Sequence, residues 1–274
     1  NSGAGNINID ANIYTAGGNF TANAINFDSE TFLINTDRAN SSNNNITTDW
    51  GNGNATWSNG GNVSISARDT IKLGSITTDG SCAASIADAC VGNLTLSGTD
   101  TDIIQPDVQL SNVVVTQETG SVLNIHGNAT FNTNTGAITL ANTGNKFNNA
   151  LIFTSAGNTA INNSLASKLG ASSITGTLKL TTGGKISQTG AVVVTSDTEF
   201  DAITNLSSYA IDLSSDNNFG GKVKATKASD IKLKDINDLS LDAITLVAGA
   251  TAPQGNINVT ANKIVLNGDL NSSA

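Results

Sequence analysis

Cys82 and Cys90 bracket Ala83-Ala84-Ser85-Ile86-Ala87-Asp88-Ala89, directly after Thr77-Thr78-Asp79-Gly80. Zinc would need more ligands than the chain places nearby, and thioredoxin-like exchange uses a shorter spacing. Two readings stay open for the pair: a staple on a protruding loop, or a loop held in shape for recognition. Trp50 and Trp57, the only two tryptophans, lie in Thr47-Thr48-Asp49-Trp50-Gly51-Asn52-Gly53-Asn54-Ala55-Thr56-Trp57. Flat apolar rings beside Asp49, Asn52 and Asn54 could stack on a sugar and fix its orientation; alternatively both rings pin a long loop onto the body of the protein. Asp100 and Asp102 bring two carboxylates close together, with Asp107 following. Calcium takes six to eight oxygen ligands, and no EF-hand or glycine-rich calcium repeat surrounds them. A solvated turn is therefore the default there, and no resident metal or cofactor is expected.

Catalysis finds little support. Lyase chemistry on a sugar acid needs a base with cationic partners, and hydrolysis needs paired carboxylates on one strand face. The arginines are Arg38 and Arg68, and the single histidine, His126, has no evident serine or cysteine partner. Acidic residues fall in turn-like stretches such as Asp28-Ser29-Glu30 and Asp235-Ile236-Asn237-Asp238, where solvated side chains are expected. The chain is not expected to be an enzyme; a lyase-like or hydrolase-like β-helix is the rival reading.

The elements that must carry these residues are strands. Asn, Thr, Ser and Gly number 38, 34, 28 and 27 of 274 residues, and such residues are poor in helix interiors and at home in turns or strands. Only 13% of residues are charged, and the net charge of −9 argues against nucleic-acid or acidic-membrane partners. Apolar runs such as Ala191-Val192-Val193-Val194 are far shorter than the roughly 20 residues of a membrane span. Disorder fits poorly, because Ile, Leu and Val keep returning in alternation: Asn62-Val63-Ser64-Ile65, Thr70-Ile71-Lys72-Leu73, Asn93-Leu94-Thr95-Leu96, Ala137-Ile138-Thr139-Leu140, Thr177-Leu178-Lys179-Leu180 and Asn256-Ile257-Asn258-Val259. Each reads as a short strand with one wet and one dry face.

Self-similarity appears at a long period of roughly 70 residues, as in chains built from stacked units. Gln117-Glu118-Thr119-Gly120, Phe131, Ala137-Ile138-Thr139-Leu140, Asn145-Lys146-Phe147 and Ala160-Ile161 return in order as Gln188-Thr189-Gly190, Phe200, Ala210-Ile211-Asp212-Leu213, Asn217-Asn218-Phe219 and Asp230-Ile231. This defines an internal repeat at 113–184 and 185–255 and divides into about three coils apiece. Coils of about 20–25 residues cannot bury a face alone and must stack. The expected fold is all-β: a right-handed parallel β-helix, since right-handed crossovers dominate, with Phe131, Phe147, Phe200 and Phe219 filling its core. The abundant asparagines suit corners where φ turns positive. About 12 coils at the strand spacing of about 4.8 Å would make a rod of roughly 55–60 Å. Two excursions, near 36–60 and 79–91, interrupt the pattern.

The chain has no Met and starts at Asn1-Ser2-Gly3, so no initiator or signal peptide is expected within it. Strand-like residues extend from Ile7 to Leu266 without a polar cap, so residues 1–274 read as one segment of a longer rod; end-to-end stacking into a fibre is the other possibility.

The run Gly61-Asn62-Val63-Ser64-Ile65-Ser66-Ala67-Arg68-Asp69-Thr70-Ile71-Lys72-Leu73 and the run Asn217-Asn218-Phe219-Gly220-Gly221-Lys222-Val223 leading to Asp230-Ile231-Lys232-Leu233 resemble the repeats of large bacterial filamentous-haemagglutinin-like exoproteins. The resemblance covers most of the chain. It implies a right-handed β-helical rod exported through an outer-membrane pore by two-partner secretion and displayed at or shed from the cell surface as an adhesin, biofilm factor or toxin-bearing stalk. The Asn-Pro-Asn signatures of that family's secretion domain are absent here, the prolines being Pro106 and Pro253, so the match is to the rod. In an exported chain an even cysteine pair is expected to close as the disulfide Cys82–Cys90, which would contribute roughly 2–3 kcal/mol. The expected function is attachment to a host-cell receptor, a glycan or biofilm polysaccharide. The alternative is a carbohydrate-binding β-helix that uses Asp49, Trp50, Asn52, Asn54 and Trp57. About a dozen Asn-x-Ser/Thr sequons, among them Asn19-Phe20-Thr21, Asn93-Leu94-Thr95, Asn128-Ala129-Thr130 and Asn205-Leu206-Ser207, fit surface glycosylation, but the composition yields nearly as many by chance.

Overall fold

The structure, a computed structural model, describes residues 5–15, 17–36, 61–78, 92–98, 112–202, 210–247 and 255–273. The apolar–polar alternation of the sequence becomes strands that alternate buried and outward side chains, as in Val63–Leu73 and Thr159–Asn163. Every strand pairing among the described residues is parallel. No helix occurs among them, hence none long and apolar enough to cross a membrane.

The chain winds as a parallel β-helix of three faces. The first face stacks residues 20–24, 63–67, Leu94–Gly98, Ala129–Asn132 and Ala150–Ser155 and continues through Ser172–Ile174 and Val192–Val194 to Phe219. The third face stacks Ile13–Tyr14, Leu33–Asn35, Ser75–Thr77, Leu123–Ile125 and Lys146–Phe147. It resumes with Ser167–Leu169, which pairs across the corner with Ala150 and Leu151 at the start of a first-face strand, and continues through Ile186–Gln188, Ile211, Ile231 and Ile257. The second face is the longest. One unbroken column on it runs Ile7, Phe27, Ile71, Val115, Ile138, Thr159, Leu178, Thr198, Val223, Leu241, Leu266. Those eleven rungs span about 48 Å at about 4.8 Å per rung. Ile138, Thr159, Leu178 and Thr198 lie one above another in this column, so the coils here are about 20 residues long, at the short end for stacked repeats.

The inward columns form one continuous core along the axis. Phe131 stacks on Phe153 of the next coil at 5.2 Å between ring centres, and Phe200 meets Phe219 edge-on at 6.3 Å. Each fully buried Leu, Ile or Phe contributes on the order of 1.5–3 kcal/mol. All four repeat phenylalanines, Phe131, Phe147, Phe200 and Phe219, are buried.

The long period of the sequence is not a whole number of coils. Phe131 lies on the first face and its counterpart Phe200 on the second. Ile138 and Ile161 lie on the second face, and their counterparts Ile211 and Ile231 on the third. Phe147 lies on the third face and Phe219 on the first. One period therefore completes three coils and one further face, so the second copy is turned by one face relative to the first.

The asparagines mostly do other work than turning φ positive. Among the described residues only Asn134 of the asparagines has a positive φ, at 56°. Asn19, Asn62, Asn93 and Asn128 instead form a ladder at the entry to the first face. The side-chain carbonyl of each accepts the backbone N–H of the next coil, from Asn62, Asn93, Asn128 and Ala150, at 2.9, 2.9, 2.8 and 3.2 Å. These N–H groups fall at a corner where the sheet ladder breaks, and the side-chain carbonyls supply the acceptors that the ladder does not.

Candidate binding surface

The corner between the third and first faces is closed the same way in three successive coils. The Thr15 hydroxyl donates to Gly18 O and Gly18 N–H donates to Thr15 O at 3.0 Å. Thr36 and Gly61 repeat this exchange at 2.6 and 2.8 Å, and Thr78 and Gly92 at 2.7 and 3.0 Å. Two residues separate Thr15 from Gly18, whereas residues 37–60 and 79–91 separate the other pairs. Both segments therefore leave and return at one corner on neighbouring coils. Gly61 packs on Gly18 and Gly92 on Gly61 so closely that an added Cβ would lie 2.0 and 2.2 Å from the carbonyl oxygen beneath. The sequence-based candidates Asp49, Trp50, Asn52, Asn54, Trp57, Cys82, Cys90, Asp100 and Asp102 lie outside the described residues.

Residues 99–111 follow the strand Leu94–Gly98 and so start from the opposite edge of the first face. In the coil before, Arg68 and Asp69 occupy that edge and pair with each other at 2.9 Å. The Arg68 hydrogen bond holds the Asp69 carboxyl below its ordinary value of 3.8. On the coil after, the tight turn Thr133–Gly136 occupies it, closed by Thr133 Oγ1 donating to Gly136 O at 2.8 Å.

The outward side of the first face carries two columns. Thr21, Ser64, Thr95 and Thr130 form one, and Asn23, Ser66, Ser97 and Asn132 the other, with no shift of register between coils over these positions. Ser66 and Ser97 share a hydrogen bond of 2.7 Å. The remaining six side chains bond to no described residue. Nothing ionisable occurs in 20–24, 63–67, 94–98 or 129–132. The second face differs: its outward column reads Asp28, Lys72, Thr116, Thr139, Ala160, Lys179, Glu199, Lys224. Lys72 bridges Asp28, at 3.4 Å, and Glu118, and Glu199 is bracketed by Lys179 and Lys224 at 3.3 and 3.8 Å. The hydrogen bond to Glu118, ahead of the attraction of Asp28, raises the Lys72 ammonium above its ordinary value of 10.5.

Asp235 departs from the solvated reading of its turn. It is 3% exposed, and its carboxylate accepts the N–H groups of Phe219 and Asn237, each at 2.7 Å. One repeat earlier, Asn163 does the same for Phe147 and Leu165 at 3.0 and 3.2 Å. Asp235 thus serves the repeat as an acceptor on the coil after a phenylalanine strand. His126 is half-buried, and its backbone N–H donates to Thr78 Oγ1 at 3.2 Å. Among the described residues no group of three or more His, Cys, Asp or Glu side chains could hold a metal ion.

The sequons also find a structural reason. In Asn19-Phe20-Thr21, Asn93-Leu94-Thr95 and Asn128-Ala129-Thr130 the asparagine belongs to the corner ladder and the hydroxyl to the outward column two residues on. The stacking of coils produces the spacing.

Two stretches, 91–154 and 156–226, match a family model described as "Repeats of unknown function (DUF5649)". They follow one another with a single residue between them and together cover just under half of the chain, which is thus similar to that family across its central coils. No curated protein and no solved structure matches the chain.

Proposed function

We propose that the chain is a segment of a secreted, surface-displayed bacterial adhesin: a rigid β-helical rod that holds its insertions outward for attachment to host cells, glycans or biofilm matrix. The observation that supports this reading is the pair of closed corners, Thr36–Gly61 and Thr78–Gly92, from which residues 37–60 and 79–91 depart on neighbouring coils of a continuous core. A scaffold whose coils close whether or not a long segment intervenes can vary what it displays without altering its body. Attachment then comes from many weak contacts summed along a stiff rod. The same reading takes the full-length protein through an outer-membrane secretion pore to the cell surface and assigns the chain no catalytic step.

A carbohydrate-binding role for Trp50 and Trp57 is the second reading. It is favoured by the place where their segment is anchored, Thr36 and Gly61, at the edge of an uncharged polar face.

A screen of the purified chain on host cells, a glycan array and biofilm polysaccharide tests both, run beside a Trp50→Ala, Trp57→Ala double variant and a reduced sample. Saturable binding by the intact chain is expected. Binding lost in the double variant supports the tryptophan reading, and binding unchanged in it removes that reading. No binding to any of the three surfaces overturns attachment and leaves the chain a spacer.

A further inference from the structure

We infer that the outward columns of the first face, Thr21, Ser64, Thr95 and Thr130 beside Asn23, Ser66, Ser97 and Asn132, bind a linear neutral polysaccharide laid along the rod axis. This deepens the attachment reading, on which it rests, by naming a ligand class and a second place for it, in the body of the rod.

Three observations carry the inference. The first is regularity. The columns keep register over four rungs, so they repeat about every 4.8 Å along the axis and about 6.6 Å across it, spanning about 14 Å in all. An extended β-1,4-linked glycan also offers its hydroxyls at a regular step, close to one rung per ring. Because alternate rings are turned over, every second sugar meets every second rung in the same way, so four rungs hold two equivalent contacts. The second is unused bonding capacity. Six of the eight side chains bond to no described residue, whereas Asn and Thr at the corners are engaged with backbone, as Asn19, Asn93, Thr36 and Thr78 show. Hydroxyls and amides both donate and accept, which suits sugar hydroxyls that do the same. The third is charge. The first-face stretches 20–24, 63–67, 94–98 and 129–132 carry no ionisable residue, and the nearest, Arg68 and Asp69 at the edge, neutralise each other, while the neighbouring face is crossed by Lys72, Lys179, Glu199 and Lys224. An acidic glycan gains nothing on the first face, and a neutral one loses no charge solvation there.

The edges of this face agree with such a role. The segments after Thr36, Thr78 and Gly98 all start from its two borders, on the coils that contain Leu33–Asn35, Ser75–Thr77 and Leu94–Gly98. A flat polar array alone binds weakly and gains strength by repetition along a rod.

Saturation-transfer NMR of the full 274-residue chain with cellohexaose and chitohexaose tests the inference, with an oligogalacturonate as the acidic comparator. At least one neutral hexaose is expected to bind and the oligogalacturonate to bind less. Thr95→Lys, at the centre of the first column, is expected to weaken binding about tenfold, a change of about 1.4 kcal/mol. Thr139→Lys, on the outward column of the second face, is expected to leave it unchanged. Thr130→Lys repeats the test one rung on should Thr95→Lys lose its fold by circular dichroism. Absence of hexaose binding by the intact chain, stronger binding of the oligogalacturonate, or equal weakening by Thr139→Lys overturns the inference. Cell adherence separates it from the broader reading. An intact chain that adheres to cells but binds no hexaose refutes this face alone, and a chain that binds hexaoses through Thr95 yet adheres to no cell refutes cell attachment alone.

Discussion

Gln117 and Asn145 exchange two side-chain amide hydrogen bonds, Nε2 to Oδ1 at 2.7 Å and Nδ2 to Oε1 at 2.9 Å. Gln188 and Asn217 repeat the exchange at 2.8 and 3.1 Å, one face further round the helix. Each asparagine also accepts the N–H of a strand on the preceding coil, Leu123 at 3.0 Å or Val192 at 2.9 Å, and donates to a backbone carbonyl, Leu140 at 3.1 Å or Leu213 at 2.9 Å. One amide therefore fixes the height of one coil against the next. The same latch works at two different corners because the repeat advances three coils and one face.

Asn217 also donates to Lys234 O at 3.1 Å and is fully buried, so Asn217→Ala leaves several buried groups without partners. Each orphaned group costs about 1–3 kcal/mol. The urea midpoint is expected to fall by the equivalent of about 3 kcal/mol, and Asn145→Ala is expected to behave alike. A shift no larger than that of Ser214→Ala, at an exposed neighbouring position, would mean that the latch contributes nothing.

Glycine is required at the insertion corner by close approach. Gly92→Ala would drive a Cβ to within 2.2 Å of Gly61 O and must part the two coils, at about 1–3 kcal/mol. Gly120 has open space around it but a φ of 81°, so Gly120→Ala is expected to cost about 1–2 kcal/mol from backbone conformation alone. Hydrogen exchange distinguishes them: Gly92→Ala should lower protection of the Leu94–Gly98 amides, and Gly120→Ala should not. Equal protection in both variants would sink the argument.

Residues 37–60 should be dispensable to the fold. Thr15 and Gly18 close the same corner with two residues between them, so a chain in which two residues join Thr36 to Gly61 keeps both corner bonds. Its circular dichroism is expected to be that of a β-protein, with a stability equal to that of the intact chain or higher by up to about 2 kcal/mol, since closing a loop costs only about 0.6 kcal/mol per doubling of its length. An insoluble or unfolded product would show that the segment belongs to the core.

The Lys72 bridge should show its sign at alkaline pH. A lysine raised in the folded state contributes stability that is complete below its ordinary 10.5 and is lost as pH rises through the folded value. Asp69 is the opposite case: its contribution is present above 3.8 and is lost as pH falls through its lower folded value. The difference in urea midpoint between the intact chain and Lys72→Gln is therefore expected to shrink above pH 10.5 and at high salt. A difference insensitive to both would attribute the effect of Lys72→Gln to packing of its stem.

Replacing a core ring tests the aromatic column. Phe153→Ala removes the partner stacked on Phe131 at 5.2 Å and is expected to cost about 3–5 kcal/mol, as a fully buried ring does. Val114→Ala, at 39% exposure on the neighbouring face, is expected to cost less than about 0.5 kcal/mol. Similar losses in the two variants would contradict the observed core.

The order of residues along the chain settles local matters. The alternation in Asn62-Val63-Ser64-Ile65 or Thr177-Leu178-Lys179-Leu180 dictates which side chain turns inward, because successive residues of a strand point to opposite faces. The recurrence of Phe131, Phe147, Phe200 and Phe219 marks core positions without knowledge of what they touch, and the lack of aliphatic alternation in residues 47–61 marks an excursion. Stacking settles the rest. Whether Asn93 caps the next coil, whether Asp235 is buried in place of an asparagine, and whether Thr95 lies beside Ser64 and Thr130 depend on residues one coil or one whole repeat away. Coil length sets that distance, and a change of a few residues at one corner moves every later landmark to a different neighbour. A sequence pattern reports the face of a strand. Only the summed length of all the coils reports which strand lies above it.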